Sequence, residues 1–322
     1  MVKKCAIVGL GQIGMMYDLY TENQQVTYTH AKALSTHPAF DLVCGVDFSE
    51  LQKKIFSQHY KKPAYSNIAS ALEKHKVDIV IIATNTPSHY AILKEILHHS
   101  KPEAILCEKP LSYSIKEAKA MVNLCKKNNV EIFVNYMRRV SQGAVEIKSM
   151  INSGKIKKNI KGVAWYSKGF LHNGSHLFNL LEFWLGAFIK SKIINKGRLI
   201  NNLDSEPDIY VEFENGKIVF MSAKEEDFSH YTIELLSPSG RLRYDDGGNL
   251  ITWQKTSDHL TIPGYKILNK NLETIVNETS HYQLDVFENL LNALLLKSHT
   301  LCSGDEALET IIAMHRAIKK KV

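Results

Sequence analysis

The sequence predicts an α/β fold whose first part is a doubly wound parallel sheet. Short apolar runs rich in β-branched residues alternate there with stretches whose apolar residues recur at helical spacing. Nearly continuous apolar strands are typical of parallel sheets that helices cover on both faces. The predicted strands are CAIVGL (5–10), FDLVCGVD (40–47), VDIVIIAT (77–84), AILCE (104–108) and VEIFVN (130–135). Between the last two, SIKEAKAMVNLCKKNN (114–129) predicts a helix that ends on asparagine.

The composition indicates a globular protein of about two domains, since the chain has 322 residues with 44% hydrophobic and 23% charged. No apolar stretch approaches the roughly 20 residues of a membrane span, and glycines interrupt the apolar start too early for a signal peptide. The cysteines form no CxxC pair; they are Cys5, Cys44, Cys107, Cys125 and Cys302. We therefore expect buried thiols in a reducing cytoplasm and no membrane partner.

The net charge of +7 does not by itself indicate nucleic-acid binding. Lysines are spread along the chain, and only HRAIKKKV (315–322) clusters them, as suits the last turn of a helix. The sequence has no recognisable nucleic-acid-binding motif. We expect no nucleic-acid partner, while an anionic small substrate stays open.

A glycine-rich loop follows the first predicted strand and predicts a dinucleotide site. In dinucleotide-binding loops of the form GxGxxG, the first glycine allows a tight turn and the second lets a pyrophosphate approach. The third allows close packing of the next helix. That helix would turn its N-terminus to the phosphates. The predicted cofactor residues here are Gly9, Gly11, Gln12, Ile13 and Gly14. A glycine turn that binds no nucleotide is the alternative.

Asp47 ends the second predicted strand. A carboxylate there would accept hydrogen bonds from the adenosine ribose and repel a 2′-phosphate, which favours NAD over NADP. Asp47 could instead serve only in a turn. Lys53 and Lys54 lie close enough in sequence to leave NADP possible.

Two further loops follow strand ends, ATNTPSHY (83–90) and CEKPL (107–111). With the glycine loop, they make the chain resemble the glucose–fructose oxidoreductase / inositol dehydrogenase / rhizopine-catabolism (Gfo/Idh/MocA) family of oxidoreductases. The similarity covers nearly the whole chain, through NYMRRV (135–140), INSGKI (151–156), the GSH turn (174–176) and SGDEALETIIAMHRAI (303–318). EKP is its most specific element.

The resemblance implies a Rossmann nucleotide-binding domain joined to an α/β domain with a large, mostly antiparallel open sheet. We place these domains at 1–120 and 121–322, with C-terminal helices that could pack back on the first. Turn signals in FENGKI, SPSGRL and DDGG, between alternating runs, suit the antiparallel sheet. By resemblance alone we expect a homo-oligomer, a dimer or tetramer.

The resemblance also implies roles for the loop residues. Lys109 would polarise the reacting oxygen, and Glu108 would lie near the nicotinamide ribose. Lys109 follows a strand end, where ligands bind in such sheets, and Pro110 restricts its backbone. The cofactor cleft would also be lined by Thr84, Asn85, Thr86, Pro87 and His89, although His89 could simply cap the helix that follows.

His176 is the candidate acid/base. SHLFNLLEFWLG (175–186) predicts a helix with Ser175 as N-cap and Gly186 as stop, which puts His176 in the first turn. There the helix dipole would keep the imidazole neutral and ready to accept a proton. The resemblance gives this histidine the acid/base role, and a packing or capping histidine is the alternative.

His172 and Asn179 depart from the family pattern D-x-x-x-H-x-x-D, because they replace both carboxylates. The Asn173-Gly174 pair favours a turn, so His172 and His176 are not expected one helical turn apart, and we expect no metal. The pocket would be less negative. The predicted substrate-binding residues are Lys109, Tyr136, Arg138, Lys168, His172, His176 and Asn179. They would suit a substrate that carries a carboxylate or phosphate.

A second departure is an insertion. In the family, HAxAL follows the glycine loop almost at once, whereas here MMYDLYTENQQVTYT (15–29) precedes His30. We hypothesise that residues 17–28, with Tyr17, Tyr20 and Tyr28, form a flap near the cofactor or substrate. A solvated insertion is the alternative.

Together these features predict an NAD(P)-dependent oxidoreductase that moves a hydride to or from a carbinol or ketone carbon of a sugar derivative, an anionic or nucleotide-linked one. A reductase of another carbonyl or of an imine is the alternative among enzymes. A non-catalytic regulator that senses nucleotide and sugar on the same scaffold is the alternative of another class.

Overall fold

The computed structural model describes residues 2–23 and 25–319. The chain divides into two compact units, one of residues 1–140 and 280–311, the other of residues 141–279 and 312–322. These units are defined by their internal contacts, and contacts do not show which part of the chain folds on its own. The domain boundary expected at residue 120 therefore stays a prediction. Of the C-terminal lysine cluster, Lys320 and Lys321 lie outside the described residues, as does Gln24 of the insertion.

The first unit is built on a parallel sheet with strand order β6-β5-β4-β1-β2-β3. Its strands are β1 (Lys3–Val8), β2 (Phe40–Val46), β3 (Ala64–Tyr65), β4 (Ile79–Ile82), β5 (Ala104–Cys107) and β6 (Glu131–Val134). Its helices are α1 (His30–Thr36), α2 (Glu50–Tyr60), α3 (Ile68–Lys74), α4 (His89–His99) and α5 (Ile115–Asn128). The predicted doubly wound sheet is confirmed, and β3 is the strand that the sequence analysis missed.

Local signals explain the boundaries of α5. The side chain of Ser114 accepts a hydrogen bond from the backbone N–H of Glu117, and Asn129 ends the helix at φ 55°. Its buried face packs one of two apolar cores, which include alternate residues of β1: Val8 belongs to one core and Ile7 to the other. Side chains of successive residues point to opposite faces of a sheet, so the two cores lie on its two sides. All five cysteines are free and buried.

The second unit contains α6 (Gln142–Asn152), α7 (Ser175–Leu185) and a large sheet. The strand order is β16-β15-β14-β13-β7-β12-β11-β8, with β17 beside β15 and β9 paired separately with β10. The strands are β7 (Ile160–Tyr166), β8 (Phe188–Asn195), β9 (Leu199–Asn201), β10 (Asp204–Ser205), β11 (Asp208–Phe213), β12 (Gly216–Ser222), β13 (Tyr231–Ser237), β14 (Gly240–Asp245), β15 (Leu250–Asp258), β16 (Lys266–Leu268) and β17 (Glu273–Ile275). Every pairing is antiparallel except that of β7 with β12. The expected open antiparallel sheet is therefore confirmed.

The turn signals predicted from the sequence join neighbouring strands of this sheet. FENGKI closes the hairpin of β11 and β12, where Phe213 pairs with Gly216. SPSGRL closes the hairpin of β13 and β14, where Ser237 pairs with Gly240. DDGG forms a short 3₁₀ turn between β14 and β15. These turns set the register that keeps one face of each strand in the core.

The chain returns to the first unit through α8 (Tyr282–Leu294), β18 (Cys302–Ser303) and the start of α9 (Gly304–Ile318). β18 adds an antiparallel edge strand beside β6. Arg139 is buried in this unit and donates to Glu306 at 2.7 Å, which ties the end of the first segment to α9. In the part of the chain that the structure describes, no helix has the length and apolarity to cross a membrane.

Candidate active site

The glycine loop has the shape that a dinucleotide needs. Gly9 has φ 100°, and a Cβ there would lie 2.7 Å from the carbonyl oxygen of Ala83. A Cβ on Gly14 would lie 2.1 Å from the carbonyl oxygen of Gly9, whereas one on Gly11 would meet nothing within 4 Å. Packing therefore requires the first and third glycines. The second leaves open space beside the backbone, where a pyrophosphate can approach.

The regular helix expected at this loop is wrong. Residues Gln12–Met16, which include Ile13, form a single π-helical turn, and α1 begins only at His30. Because the insertion separates the loop from α1, the macrodipole of a long helix is not directed at the loop. Backbone N–H groups of the loop itself would have to bind the phosphates.

A cavity of about 220 Å³ adjoins the carboxyl ends of β1, β2 and β4. Three predicted cofactor residues, Gly9, Asp47 and Thr84, lie in its wall. The sequence analysis did not single out the other lining residues, which are Val8, Val46, Phe48, Ser66, Asn67, Ile68, Ile92 and Glu95. Most are apolar or small residues whose place in the wall depends on the fold, so no local signal marks them.

Asp47 links the ends of β1 and β2. Its carboxylate accepts hydrogen bonds from the backbone N–H groups of Leu10 and Ser49, each at 2.8 Å. Lys53 is buried and donates to Glu50 at 2.6 Å and to Ser66. Because Ser66 also lines the cavity, these bonds place the Lys53 ammonium beside it, and a contact of Lys53 with a 2′-phosphate stays untested.

The ATNTPSHY loop joins β4 to α4. Thr86, Pro87 and Ser88 form a 3₁₀ turn, in which Thr86 is buried while Asn85 and Pro87 are exposed. His89 is fully buried, with Nδ1 3.2 Å from the carbonyl oxygen of Leu111 and Nε2 3.1 Å from that of Thr84. Burial lowers the pKa of His89 although these carbonyls oppose the shift. The ring thus joins two loops at the sheet edge, and its contact with cofactor stays a prediction.

The EKP loop stands on a buried polar cluster that consists of His30, Glu108, Asn135 and Gln283. Glu108 Oε1 lies 2.8 Å from Nε2 of His30 and accepts from Nδ2 of Asn135 at 2.6 Å. The same Asn135 amide lies 3.3 Å from Oε1 of Gln283. Burial alone would raise the pKa of Glu108, but His30, Asn135 and the charge of Lys109 outweigh it and hold that pKa below its usual range. The cluster therefore keeps an anion beneath Lys109.

Lys109 is half-buried, and its bond to Pro110 is cis. Its backbone N–H lies 3.3 Å from Oε2 of Glu108. Tyr136 is buried just after β6, and Arg138 is half-buried in the 3₁₀ turn Met137–Val140. These residues, all predicted to bind substrate, belong to the first unit. The sequence analysis missed His30, Asn135 and Gln283; His30 begins the HAKAL motif and Asn135 follows β6, but no motif marks Gln283.

The GSH segment of the second unit differs from its prediction. Residues Gly169–Gly174 form a π-helical turn that runs directly into α7, so both the turn expected at 173–174 and the N-cap role of Ser175 are wrong. Ser175 instead donates from Oγ to the carbonyl oxygen of His172 at 2.7 Å. His176 follows helical backbone and does not sit at a free helix N-terminus, so the expected dipole effect on its ring is weakened. Gly186 ends α7 at φ 86°, as predicted.

Two buried carboxylates from around β10 hold the start of this segment. Asp204 accepts from the backbone N–H groups of Leu171 and His172, each at 2.9 Å, and Glu206 accepts from that of Gly169 at 3.0 Å. Burial raises the pKa of Asp204, and the hydrogen bonds from the backbone partly offset that rise. Both residues were missed, since nothing in their spacing links them to the histidines. The negatively charged groups of Asp204 and Glu206 thus lie beside the GSH segment, and they accept hydrogen bonds from its backbone.

His176 and Asn179 are buried, at 5% and 2% exposure. The His176 ring meets Tyr231 edge-on, with centroids 6.0 Å apart. Lys168 is exposed and adopts a left-handed φ of 63° just before the π-helical turn. The second unit therefore places two histidines and an amide in one helical segment, with a lysine directly before it. Among residues 2–23 and 25–319, no group of three histidine, cysteine or acidic side chains could hold a metal ion.

Hydrogen bonds hold the end of the insertion (15–29) in place just before α1. The buried carboxylate of Asp18 accepts from the backbone N–H groups of Tyr28 and Thr29, at 2.6 and 2.9 Å, and from Thr29 Oγ1 at 2.6 Å. Tyr17 and Tyr20 are 62% and 76% exposed, so their rings are available to a ligand. Whether they cover a ligand stays a prediction.

Comparison with known proteins shows the fold and the family that the chain resembles. Residues 3–136 match the Gfo/Idh/MocA model, described as an oxidoreductase family with an NAD-binding Rossmann fold. Over these residues the chain is similar to the Gfo/Idh/MocA oxidoreductase family. Its first part is an NAD-binding Rossmann domain, and the open space at Gly11 fits that cofactor.

The matches to the first curated relatives span less than two thirds of the length of those relatives. The chain is 29% identical over 245 residues to scyllo-inositol 2-dehydrogenase (NAD(+)) of Bacillus subtilis (strain 168), a match that covers 66% of the chain and 64% of that relative. It is 21% identical to the oxidoreductase YrbE of the same organism, over 94% of the chain and 89% of the relative. The WlbA dehydrogenase from Bordetella pertussis, solved with NADH and UDP-GlcNAcA, shares the fold at 16% identity with a TM-score of 0.75, over 100% and 98% of the two chains.

Proposed function

We propose that the protein is an NAD-dependent oxidoreductase that transfers a hydride to or from a carbinol or ketone carbon of a sugar derivative. The observation that carries the proposal is Lys109, a half-buried cation beside the buried anionic Glu108 at the sheet edge that also holds the glycine loop. When bound, NAD supplies the hydride acceptor or donor. The similarity to an inositol dehydrogenase supports a polyol or sugar as the substrate class.

Lys109 would stabilise negative charge on the reacting oxygen. A hydroxyl that loses its proton, or a carbonyl that accepts a hydride, places charge on that oxygen, and a fixed ammonium nearby lowers the barrier. The charge of Lys109 helps to keep Glu108 ionised, so the two side chains form a pair of opposite charges. In this proposal Lys109 stabilises the charge on the reacting oxygen, and a different residue transfers the proton of the substrate hydroxyl.

His176 would take or return the substrate hydroxyl proton. A buried histidine can serve as a base near neutral pH if its ring is held in one orientation. The edge-on Tyr231 ring restricts the rotation of the His176 ring. The carboxylates of Asp204 and Glu206 fix the backbone that precedes it.

The finer proposal is that the substrate is anionic or nucleotide-linked. His172 and Asn179 stand where the family pattern has carboxylates, and Lys168 adds a cation to the same segment. Asp204 and Glu206 do not replace those carboxylates at the substrate, because their oxygens already accept from the backbone and from Arg198. Removal of side-chain carboxylates favours the binding of negatively charged groups.

The experiment combines the purified protein with NAD or NADH and four substrate types: an inositol, a neutral hexose, a hexuronate and a nucleotide-linked hexuronate. We expect hydride transfer, followed at 340 nm, with a higher kcat/KM for the anionic compounds. Equal rates on neutral and anionic compounds contradict the finer proposal. Saturable binding without any hydride transfer contradicts the enzyme and supports a sensing regulator.

Two variants test the assigned roles. Lys109→Ala and His176→Ala should each lower kcat by about 10²–10⁴-fold, the range of general acid–base or electrostatic contributions. Lys101→Ala, which changes an exposed lysine shortly before β5, is the matched control and should leave kcat unchanged. Full activity in Lys109→Ala or in His176→Ala would show that the role assigned to that residue is wrong.

A further inference from the structure

The buried cluster beneath the EKP loop is built more elaborately than a turn requires. Its four side chains, those of His30, Glu108, Asn135 and Gln283, are between 0% and 8% exposed and come from four different parts of the chain. A buried carboxylate is costly unless hydrogen bonds and charges compensate it. The cluster supplies those partners to one residue, Glu108, which directly precedes Lys109.

His30 has a particular place in this cluster. Its Nε2 must carry the proton that it shares with Glu108 Oε1, because an ionised carboxylate can only accept. Asn135 donates to the same oxygen, so both partners hold Oε1 in place. The second oxygen, Oε2, then faces the backbone N–H of Lys109 at 3.3 Å. His30 and Asn135 thus orient the carboxylate through Oε1, and its Oε2 is directed at the backbone of Lys109.

The position of His30 depends on the insertion. His30 is the first residue of α1, and the Oγ1 of Thr29 caps that helix by accepting from Lys32 N–H at 3.3 Å. Asp18 holds Thr29 by both its backbone and its side chain. The ring of Phe287 packs edge-on against His30, with centroids 5.9 Å apart. The imidazole is therefore fixed by the insertion on one side and by α8 on the other.

We infer that His30 is a positioning residue for Lys109, which it holds through the carboxylate of Glu108. The inference rests on the proposed role of Lys109 in the reaction. His30 neither binds substrate nor carries the reacting proton; it keeps Glu108 ionised and turned to Lys109. The insertion then serves this reaction by fixing the start of α1, whether or not its tyrosines cover a ligand.

The other titratable groups that face Glu108 do not duplicate this role. His89 of α4 is held neutral, since burial lowers its pKa. Cys107 of β5 is held as a thiol, because burial and then the charge of Glu108 raise its pKa. Asn135 of β6 and Gln283 of α8 are uncharged. Hydrogen bonds to Glu108 therefore come from His30 and Asn135, and positive charge comes from Lys109.

The test uses three variants of the full chain: His30→Leu, His30→Gln and His37→Leu. Leucine removes the donor to Glu108, whereas glutamine keeps an amide donor. His37→Leu is the matched control, because His37 ends the same helix and also pairs with a glutamate, Glu288, at 3.1 Å, outside the cluster. The measured quantity is kcat for hydride transfer between pH 5.5 and 9.

In His30→Leu we expect the pKa of Glu108 to rise, since burial is then opposed by fewer partners. The rate should fall about tenfold for each pH unit below the new pKa and recover at higher pH. His30→Gln and His37→Leu should keep the wild-type profile. A uniform loss at every pH in His30→Leu, or no loss, would overturn the inference.

A second measurement does not depend on turnover. ¹³C NMR of protein labelled at glutamate Cδ follows the ionisation of Glu108 without substrate, with Glu108→Gln used to assign its signal. The signal should titrate at a higher pH in His30→Leu than in the wild type, and an unchanged titration contradicts the inference. If the signal shifts as expected while the wild type transfers no hydride, the proposed function fails and the coupling of His30 to Glu108 stands.

Discussion

Asp204 holds His172 by its backbone: the carboxylate oxygen Oδ2 accepts the backbone N–H of His172 at 2.9 Å, while Oδ1 accepts that of Leu171. These N–H groups belong to the first turn of a helical segment, which has no intrahelical acceptors for them. A Cβ on Gly169 would lie 2.1 Å from Oδ2 of Asp204, so glycine is required for this close approach. Asp204 and Glu206 therefore act as the helix cap that Ser175 was expected to supply.

Asp204→Ala should destabilise the protein and lower its activity together. Each buried N–H that loses its acceptor costs about 1–3 kcal/mol of unfolding free energy. The segment that carries His172 and His176 would shift, so kcat should fall more than cofactor affinity. Chemical denaturation and steady-state kinetics measure the two effects.

The control for this change is Asp208→Ala. Asp208 also accepts a backbone N–H in the same unit, but the donor is Ser222 of β12, at 2.9 Å, and not a residue of the histidine segment. It should lose stability with little change in kcat. Equal losses of kcat in both variants would contradict the capping role of Asp204.

His89 makes the stability of the protein depend on pH. Burial lowers its pKa in the folded state below the ordinary value of about 6.5. The unfolded chain then binds the proton more readily, so the stabilising contribution of a neutral His89 is complete above that value and is lost as the pH falls below it. In His89→Gln the melting temperature should decline less between pH 7 and pH 5 than in the wild type. If the melting temperatures of both proteins decline equally, groups other than His89 cause the loss of stability at low pH.

Gly11 and Gly14 should respond differently to alanine. A Cβ on Gly14 would overlap the carbonyl oxygen of Gly9 at 2.1 Å, so Gly14→Ala must distort the loop and lower the melting temperature. A Cβ on Gly11 meets nothing within 4 Å, so Gly11→Ala should keep the melting temperature. That methyl group would occupy the approach of the pyrophosphate, and NADH affinity should fall about tenfold or more. Fluorescence titration with NADH checks this, and unchanged affinity in Gly11→Ala would place the cofactor elsewhere.

Features that depend on neighbouring residues could be predicted from the sequence, whereas features that depend on residues far apart in the chain could not. β1, β2, β4, β5 and β6 were predictable because each is a local apolar run, and Glu108 and Lys109 follow β5 in an uninterrupted motif. The start of the histidine segment was not predictable. Lys168 adopts a left-handed backbone, and carboxylates more than thirty residues away bind the first N–H groups, so helical structure begins six residues before Ser175. Tertiary contacts there overrule the local capping signal of Ser175.

The cluster around Glu108 shows the same limit. Its members come from positions 30, 108, 135 and 283, and no spacing in the sequence relates them. His30 and Glu108 each belong to a recognisable motif, but their pairing follows from the parallel order of the strands. A sequence reading can mark such residues as notable without showing that they touch.

The expected homo-oligomer stays a prediction, and one face of the nine-stranded sheet is the surface that we expect it to use. On β7, Trp165 is 40% exposed and pairs with Met221 of β12 and Thr232 of β13, so the three side chains share that face. Val163 and Val219, a further pair, lie on the same face and are half-buried. These residues form an apolar patch with a charged rim, since Glu234 pairs with Val163 and Arg243 pairs with Glu234. An exposed apolar patch with a polar rim is typical of a contact surface between proteins.

Trp165→Glu should therefore weaken self-association. A charge at the centre of an apolar contact must be desolvated without a partner, which is strongly unfavourable. Lys217→Glu, which changes an exposed residue at the far end of β12, is the control and should keep the wild-type assembly. Sedimentation velocity of the three proteins measures the masses. We expect a dimer or tetramer for the wild type and a smaller species for Trp165→Glu, and a monomeric wild type would contradict the homo-oligomer.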